Sequence, residues 1–156
     1  MFGFLKRKAR KIYAPVEGQV FALEEVNDEV FSQKMAGDGV AILPSVGTFT
    51  APIDGIVSKL FPTHHAYCIK DKKGFEVMIH IGLDTVSLAG KGFSAKVKEG
   101  DSVTVGDTII EADLALITAA QRELTTMVLL LPTNDYKEIK KSYTKVKNGE
   151  TIMEVQ

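Results

Sequence analysis

Two histidines, His65 and His80, stand at the outer ends of two segments that have the pattern of a β-hairpin. The two arms, 65–70 and 75–81, flank the turn-forming sequence DKKG at 71–74. A loop of two or four residues would place the two histidines directly opposite each other, whereas a three-residue loop would break that pairing. Directly opposed residues have Cβ atoms roughly 4.5–5.5 Å apart on one face of the sheet. We therefore expect the two imidazoles to meet.

The alternation of residues in the second arm indicates which face carries the pair. One face is wholly apolar and is expected to point into the core: Phe75, Val77, Ile79, Ile81 and Leu83. The other face contains Glu76, Met78 and His80, so His80 is expected on the outer surface. The same register would put His65 and Tyr67 beside it.

An exposed neutral imidazole can accept a phosphoryl group on a ring nitrogen and pass it onward. Such chemistry needs a hydrogen-bond donor for the phosphoryl oxygens and an apolar rim that excludes water. His65, with Thr63 two residues earlier, could supply the donor. Met78, Tyr67 and Ile69 could form part of the rim.

A metal site is the alternative chemistry for this pair. His65, His80 and Asp84 are acceptable zinc ligands. Four residues of straight strand would carry Asp84 about 13 Å away from His80, so only a bend at Gly82 would bring it close. A zinc-dependent hydrolase, or a zinc shared with a partner protein, stays open at this point.

The whole chain has the composition of one soluble domain. It contains 156 residues, 45% hydrophobic and 25% charged, with a net charge of −1. Nothing in this balance points to nucleic acid. The single cysteine, Cys68, excludes an internal disulfide and indicates a reducing, cytoplasmic compartment. We expect Cys68 to be buried on the inner face of its strand.

The N-terminus combines apolar and basic residues. Phe2, Phe4 and Leu5 precede a cluster of Lys and Arg, and no acid occurs before Glu17. We expect residues 1–12 to form a flexible basic tail, with residues 13–156 as a single domain. The tail could also make a weak membrane contact, with the three apolar side chains dipping into an anionic surface.

Short strands separated by glycine turns make up most of the chain. The pattern APxxGxV occurs at 14–20 and again at 51–57. Many short strands of this kind predict an all-β sandwich or barrel. We expect only two brief helical segments, one at 114–124 capped by Asp113 and one at 136–141 capped by Asn134.

The two-histidine region resembles a known family. FPTHHAY at 61–67 and MIHIGLDTV at 78–86 are similar to the signature of the glucose-type enzyme IIA of the bacterial phosphoenolpyruvate-dependent sugar phosphotransferase system. The similarity runs from about residue 12 to the C-terminus. It implies an all-β fold, an antiparallel β-sandwich (barrel-sandwich hybrid) with one or two short helices.

The resemblance also implies a role for each matched residue. His80 would be the phosphoryl acceptor, His65 would stabilise the phosphoryl group, and Thr63 would hydrogen-bond to His65. Six further positions match the partner-docking surface of the family: Asp38, Val40, Phe61, Met78, Asp84 and Val86.

The implied partners are the carrier HPr and the IIB domain of a glucose-, N-acetylglucosamine- or sucrose-type permease, with no required cofactor. We expect a free-standing IIA, since neither a IIB cysteine motif nor membrane segments are visible in the sequence. The second hypothesis is a regulatory binding module, in which phosphorylation of His80 only determines which partner is bound. The sequence leaves open which sugar is served.

Overall fold

The computed structural model describes residues 9–156, and almost all of its regular structure is β. The strands are β1 Arg10–Tyr13, β2 Gly18–Ala22, β3 Asp38–Pro44, β4 Thr48–Thr50, β5 Gly55–Leu60, β6 Ala66–Lys70, β7 Glu76–His80, β8 Phe93–Ala95, β9 Ser102–Val103, β10 Thr108–Ala112, β11 Thr126–Leu130, β12 Ile139–Lys141, β13 Lys145–Val146 and β14 Thr151–Val155. Two short α-helices, α1 Glu29–Ser32 and α2 Leu114–Ala119, and two 3₁₀ turns, Leu23–Glu25 and Thr85–Leu88, complete the described part.

All strand pairs are antiparallel and form three sheets. The largest has eight strands in the order β13-β2-β3-β11-β7-β6-β5-β9, and its centre carries both histidine segments. The two smaller sheets, β1-β14-β12 and β4-β10-β8, have three strands each. The predicted antiparallel β-sandwich with short helices is confirmed.

The hairpin between β6 and β7 has a different register from the expected one. Lys70 pairs with Glu76, and Ala66 rather than His65 lies opposite His80. The cause is a three-residue loop at 72–74, closed by a hydrogen bond from the Asp71 amide to the carbonyl of residue 75 at 2.8 Å. The Asp71 carboxylate stabilises this loop by accepting two backbone N–H groups from 73 and 75.

The shift by one residue turns every side chain of β6 to the opposite face. Tyr67 now pairs with Ile79, is fully buried, and donates its hydroxyl hydrogen to the carbonyl oxygen of Thr50 at 2.7 Å. Tyr67 and Ile69 therefore belong to the core and do not form a rim around His80. Cys68 is buried as predicted, but it lies opposite Met78 on the outer face.

Apolar side chains form two buried clusters on the two sides of the large sheet. The main cluster fills the sandwich and includes the core face of β7, Val77 and Ile79. The second cluster lies on the outer face and consists of Leu23, Val26, Phe31, Ala41, Leu83, Met127 and Leu129. Three of its members come from the segment 23–37, which therefore covers the sheet next to His80.

The predicted helices are partly correct. Asp113 caps α2 by accepting the Leu116 N–H at 3.1 Å, but the helix ends at Ala119 because Gln121 adopts a left-handed conformation with φ +63°. The helical turn predicted at 136–141 is wrong, since part of it forms strand β12. The amide of Asn134 instead bonds the backbone of Glu76 through both its oxygen and its nitrogen.

Three residues of the predicted tail take part in a sheet. Strand β1 pairs with β14 from Arg10 onward, so residues 10–12 are part of the β structure. Phe2, Phe4 and Leu5 lie outside the described residues, and their membrane contact stays a prediction. Within residues 9–156, every helix is too short or too polar to cross a membrane.

Candidate functional site

His80, the last residue of β7, is held by the backbone immediately after it. Its Nδ1 lies 2.9 Å from the carbonyl oxygen of Gly82. A carbonyl oxygen only accepts hydrogen bonds, so Nδ1 must carry the ring proton. In the neutral ring this leaves the lone pair on Nε2, which is the nitrogen that can act as a nucleophile.

Glycine is required at position 82 for this arrangement. Its φ is +76°, in the left-handed region. A Cβ at this position would lie 2.5 Å from Cγ2 of Thr85 and 2.8 Å from the carbonyl oxygen of Glu123. The chain therefore bends at Gly82, and the bend directs the Gly82 carbonyl to His80.

His65 is positioned by the turn that joins β5 to β6. The Phe61 N–H donates to the Ala66 carbonyl at 3.1 Å, and the His64 N–H donates to the Phe61 carbonyl at 2.7 Å. His64 within this turn has φ +57°. Because His65 lies in the bent segment before β6, its side chain does not follow the alternation of the strand. Thr63 Oγ1 lies 2.5 Å from His65 Nδ1, the contact that the resemblance implies.

The two imidazoles meet even though their residues are not directly paired. Their ring centroids are 5.0 Å apart with an interplanar angle of 83°. His65 is only 5% exposed, and the Ile81 N–H donates to its backbone carbonyl at 2.8 Å. The predicted juxtaposition is thus present, although the predicted register that led to it is wrong.

The surroundings favour neutral rings. Burial, and after it the charge of neighbouring His65, lower the pKa of His80 to about 4, against an opposing contribution from the Gly82 carbonyl. Burial also lowers the pKa of His65. A neutral His80 has its Nε2 lone pair available at neutral pH, which a nucleophile requires.

The segment 23–37 contributes residues that the sequence analysis missed. The ring of Phe31, from α1, lies with its centroid 5.0 Å from that of His80. Val30 and Met35, in the same segment as Phe31, are 46% and 67% exposed, so this segment also presents large apolar side chains on the surface. The available signal was Asp28, whose side chain caps α1 by accepting the Val30 N–H.

The predicted docking residues differ in accessibility. Val86 is 53% exposed, Phe61 is half-buried with its ring 5.6 Å from that of His65, and Met78 is half-buried against the outer cluster. Val40 is fully buried in the main core, so its assignment to the docking surface is wrong. Its strand β3 is central in the sheet, where the apolar run is covered on both faces.

The two predicted docking acids already have internal partners. Asp38 lies 2.7 Å from Lys141 Nζ and 3.7 Å from Lys34 Nζ. Burial acts to raise the pKa of Asp38, but the Lys141 hydrogen bond and further contacts outweigh it and hold the pKa below its usual range. Asp84 has a largely exposed side chain, 69%, whose carboxylate lies 3.4 Å from Arg122 Nε.

The side chains near the pair do not form a complete metal site. Within residues 9–156, no group of three or more His, Cys, Asp or Glu side chains is arranged to hold an ion. Both Nδ1 atoms are engaged by Thr63 and Gly82, which leaves one ring nitrogen on each histidine. A zinc ion bound by His65 and His80 would need its remaining ligands from elsewhere.

Comparisons with known proteins agree on one family. A family model described as "phosphoenolpyruvate-dependent sugar phosphotransferase system, EIIA 1" matches residues 10–136. The chain is 39% identical over 155 residues to the "PTS system glucose-specific EIIA component" of Haemophilus influenzae, covering 98% of this chain and 93% of that protein.

Two further matches differ in how much of the relative they cover. The chain is 47% identical over 135 residues to the "PTS system glucose-specific EIICBA component" of Streptococcus pneumoniae, covering 86% of this chain but spanning only 19% of that protein. Among solved structures, glucose permease IIA from Mycoplasma capricolum superposes with a TM-score of 0.90 at 37% identity, covering 99% of both chains.

Proposed function

The chain belongs to the EIIA 1 family of the phosphoenolpyruvate-dependent sugar phosphotransferase system, within its glucose-type members, and we propose that it is a phosphocarrier that receives a phosphoryl group on Nε2 of His80. The donor would be the phosphohistidine of HPr, and the acceptor the cysteine of a sugar permease's IIB domain. The observation that carries this proposal is the hydrogen bond from His80 Nδ1 to the Gly82 carbonyl, which leaves Nε2 as the nucleophile.

The transfer consists of two displacements at phosphorus. In the first, the Nε2 lone pair of His80 forms a new N–P bond while the N–P bond of phospho-HPr breaks and its electron pair returns to the HPr imidazole. In the second, the IIB thiolate forms an S–P bond, and the electron pair of the broken N–P bond returns to His80. Neither step consumes water, so the reacting atoms must be shielded from it.

His65 is suited to stabilise the moving phosphoryl group. If the Thr63 hydroxyl donates to Nδ1, the remaining proton of the neutral His65 ring is on Nε2, which becomes a donor. The 5.0 Å separation of the two rings puts such a donor within reach of a phosphoryl group attached to His80. The burial of His65 fixes the direction of its ring before the substrate arrives.

The exposed apolar side chains next to the pair are suited to exclude water in the docked complex. Val30 and Met35 belong to the segment that brings Phe31 against His80, Val86 lies in the 3₁₀ turn that follows Gly82, and all three side chains are exposed. A partner that docks on these three side chains would bury their apolar surface and at the same time exclude water from the histidine pair. The family's partners, HPr and a IIB domain, are proposed to share this surface.

The test is the intact mass of the protein after incubation with phosphoenolpyruvate, enzyme I and HPr. We expect the wild type to gain one acid-labile phosphoryl group and His80→Ala to gain none, because the nucleophile is absent. His64→Asn is the matched control, since asparagine tolerates the left-handed turn conformation, and it should still be labelled. Labelling of the His80→Ala protein would show that the nucleophile is assigned wrongly.

Onward transfer is tested separately by adding a IIB domain to the purified phosphoprotein. Loss of the phosphoryl group from this chain with its appearance on the IIB cysteine supports a carrier. A stable phosphoprotein that binds IIB without transfer would instead support a regulatory binding module. Repeating this assay with IIB domains from different sugar permeases would identify which permease accepts the phosphoryl group.

A further inference from the structure

We propose that Arg122 is a positioning residue for His80, because its guanidinium holds the segment 82–87 in the shape that directs the Gly82 carbonyl to the imidazole. The role rests on the proposed phosphoryl transfer. The residue lies just after helix α2, far along the chain from the histidines.

The backbone conformation of the segment after β7 needs contacts from another segment to stabilise it. Gly82 and Asp84 both have positive φ angles, +76° and +56°. Side chains other than glycine adopt this conformation only when the surroundings fix it, although aspartate tolerates it better than most. The carbonyl that sets the His80 tautomer therefore belongs to a stretch of backbone that is not stable by local preference alone.

Arg122 connects this stretch to the end of α2. Its Nε lies 3.2 Å from the carbonyl oxygen of Asp84 and 3.1 Å from Oγ of Ser87. Its Nη1 donates to the carbonyl oxygen of Ala120 at 3.1 Å, within its own turn. The Arg122 guanidinium thus forms hydrogen bonds to the segment 84–87 and to its own turn at Ala120. The rigid, planar guanidinium is better suited to this than the flexible ammonium group of lysine.

The backbone next to Arg122 completes the attachment. The carbonyl oxygen of Glu123 accepts the Leu83 N–H at 3.0 Å, and a Cβ on Gly82 would lie 2.8 Å from that same oxygen. The 122–123 segment therefore contacts Gly82 itself and the residues that follow it, Leu83, Asp84 and Ser87. Without the Arg122 side chain, the Leu83 N–H would be the remaining hydrogen bond between the two segments.

Removal of the guanidinium should loosen the Gly82 carbonyl without removing any group that touches phosphorus. The His80 ring would then spend part of its time as the other tautomer, in which Nε2 carries the proton and cannot attack. We expect slower transfer at saturating phospho-HPr, by about tenfold, with little change in the half-saturating concentration.

The experiment compares Arg122→Ala and Arg122→Lys with the wild type. Single-turnover transfer from phospho-HPr gives the rate and half-saturation, and ¹⁵N chemical shifts of the His80 ring at pH 7 report the tautomer. We expect one tautomer in the wild type and a mixture in Arg122→Ala. Arg122→Lys should give an intermediate rate and mixture, because it keeps the charge but replaces the planar guanidinium by a single ammonium group.

Arg10→Ala is the matched control. Arg10 is also a half-buried arginine in an ion pair, 2.9 Å from Asp71, but it lies at the opposite end of the β6–β7 hairpin. It should leave the tautomer and the transfer rate unchanged. Three results would each overturn the proposal. They are an unchanged tautomer in Arg122→Ala, an equal loss of transfer rate in Arg10→Ala, and an effect of Arg122→Ala on the half-saturating concentration of phospho-HPr alone.

Failure of the proposed function would give a different result. A wild type that accepts no phosphoryl group refutes the carrier, whereas the tautomer measurement needs no transfer and still decides the part played by Arg122. If Arg122→Ala does not fold, Arg122→Lys supplies both readouts and decides alone.

Discussion

The low pKa of His80 predicts that this one residue makes the fold sensitive to mild acid. Its pKa is lowered to about 4, chiefly by burial, from an ordinary value near 6.5. Between pH 6.5 and 4 the unfolded chain therefore binds more protons than the folded one. The contribution of His80 to stability is complete above pH 6.5 and is lost as the pH falls towards 4.

The magnitude follows from the size of the shift. A pKa of about 4 in the folded protein and near 6.5 in the unfolded chain corresponds, at 1.36 kcal/mol for each tenfold change in proton affinity, to about 3 kcal/mol, of which about 2 kcal/mol is lost between pH 7 and pH 5. Other titrating groups also make the free energy of unfolding depend on pH. Their contributions cancel in a comparison with His80→Gln, because the variant keeps every other titrating group.

Urea unfolding of the wild type and His80→Gln at pH 7 and pH 5 measures the effect. We expect the free energy of unfolding of the wild type to fall by about 2 kcal/mol more than that of the variant over this range. The absolute stability of the variant does not enter, since only the change with pH is compared. Equal falls in both proteins would refute the reasoning that burial keeps His80 neutral.

Three further outcomes are expected. His65→Gln should slow onward transfer to IIB more than acceptance from HPr, because the proposed role of His65 is to stabilise charge on the departing phosphoryl group; equal losses in two single-turnover assays would exclude that role. Thr63→Ala should slow acceptance by up to about tenfold, since Nδ1 of buried His65 loses its partner, and Thr63→Ser should recover most of the rate; no recovery would mean that the threonine methyl group matters instead. Gly82→Ala should destabilise the fold by about 2–4 kcal/mol, because its Cβ would contact Thr85 at 2.5 Å; Gly74→Ala, at φ +86° in open space, should lose about 1 kcal/mol in the same urea assay.

The alternation of β7 was predictable because period-two patterning depends only on neighbouring residues. Val77 and Ile79 are buried and His80 is half-buried, as that pattern predicts. The register of the hairpin was not predictable from the same evidence. Its loop length depends on Asp71 accepting two backbone N–H groups, and DKKG is compatible with loops of two, three or four residues.

The candidate site was predictable only in the part that is local in sequence. His80, His65 and Thr63 come from two segments joined by one hairpin, and they are brought together. Phe31 and Arg122 reach the same place from distant segments through packing and long-range hydrogen bonds. No periodicity in the chain encodes such contacts.

Val40 illustrates why a matched motif does not fix accessibility. The run 38–44 is β3, a central strand between β2 and β11, and its side chains are covered on both faces except near the end. Motif position alone places a residue near the site, whereas the neighbouring strands decide whether a partner can touch it.

The hydrogen bond between His80 and the Gly82 carbonyl has a consequence for how His80 would act as a leaving group in the second step of the proposed transfer. With Nδ1 already protonated, a phosphoryl group on Nε2 makes the ring a cation, which the carbonyl dipole stabilises. On departure of the phosphoryl group the ring returns to neutral imidazole without taking up a proton. In the proposed transfer the leaving group would thus be prepared in advance, and onward transfer would need no external acid even in a site closed to solvent.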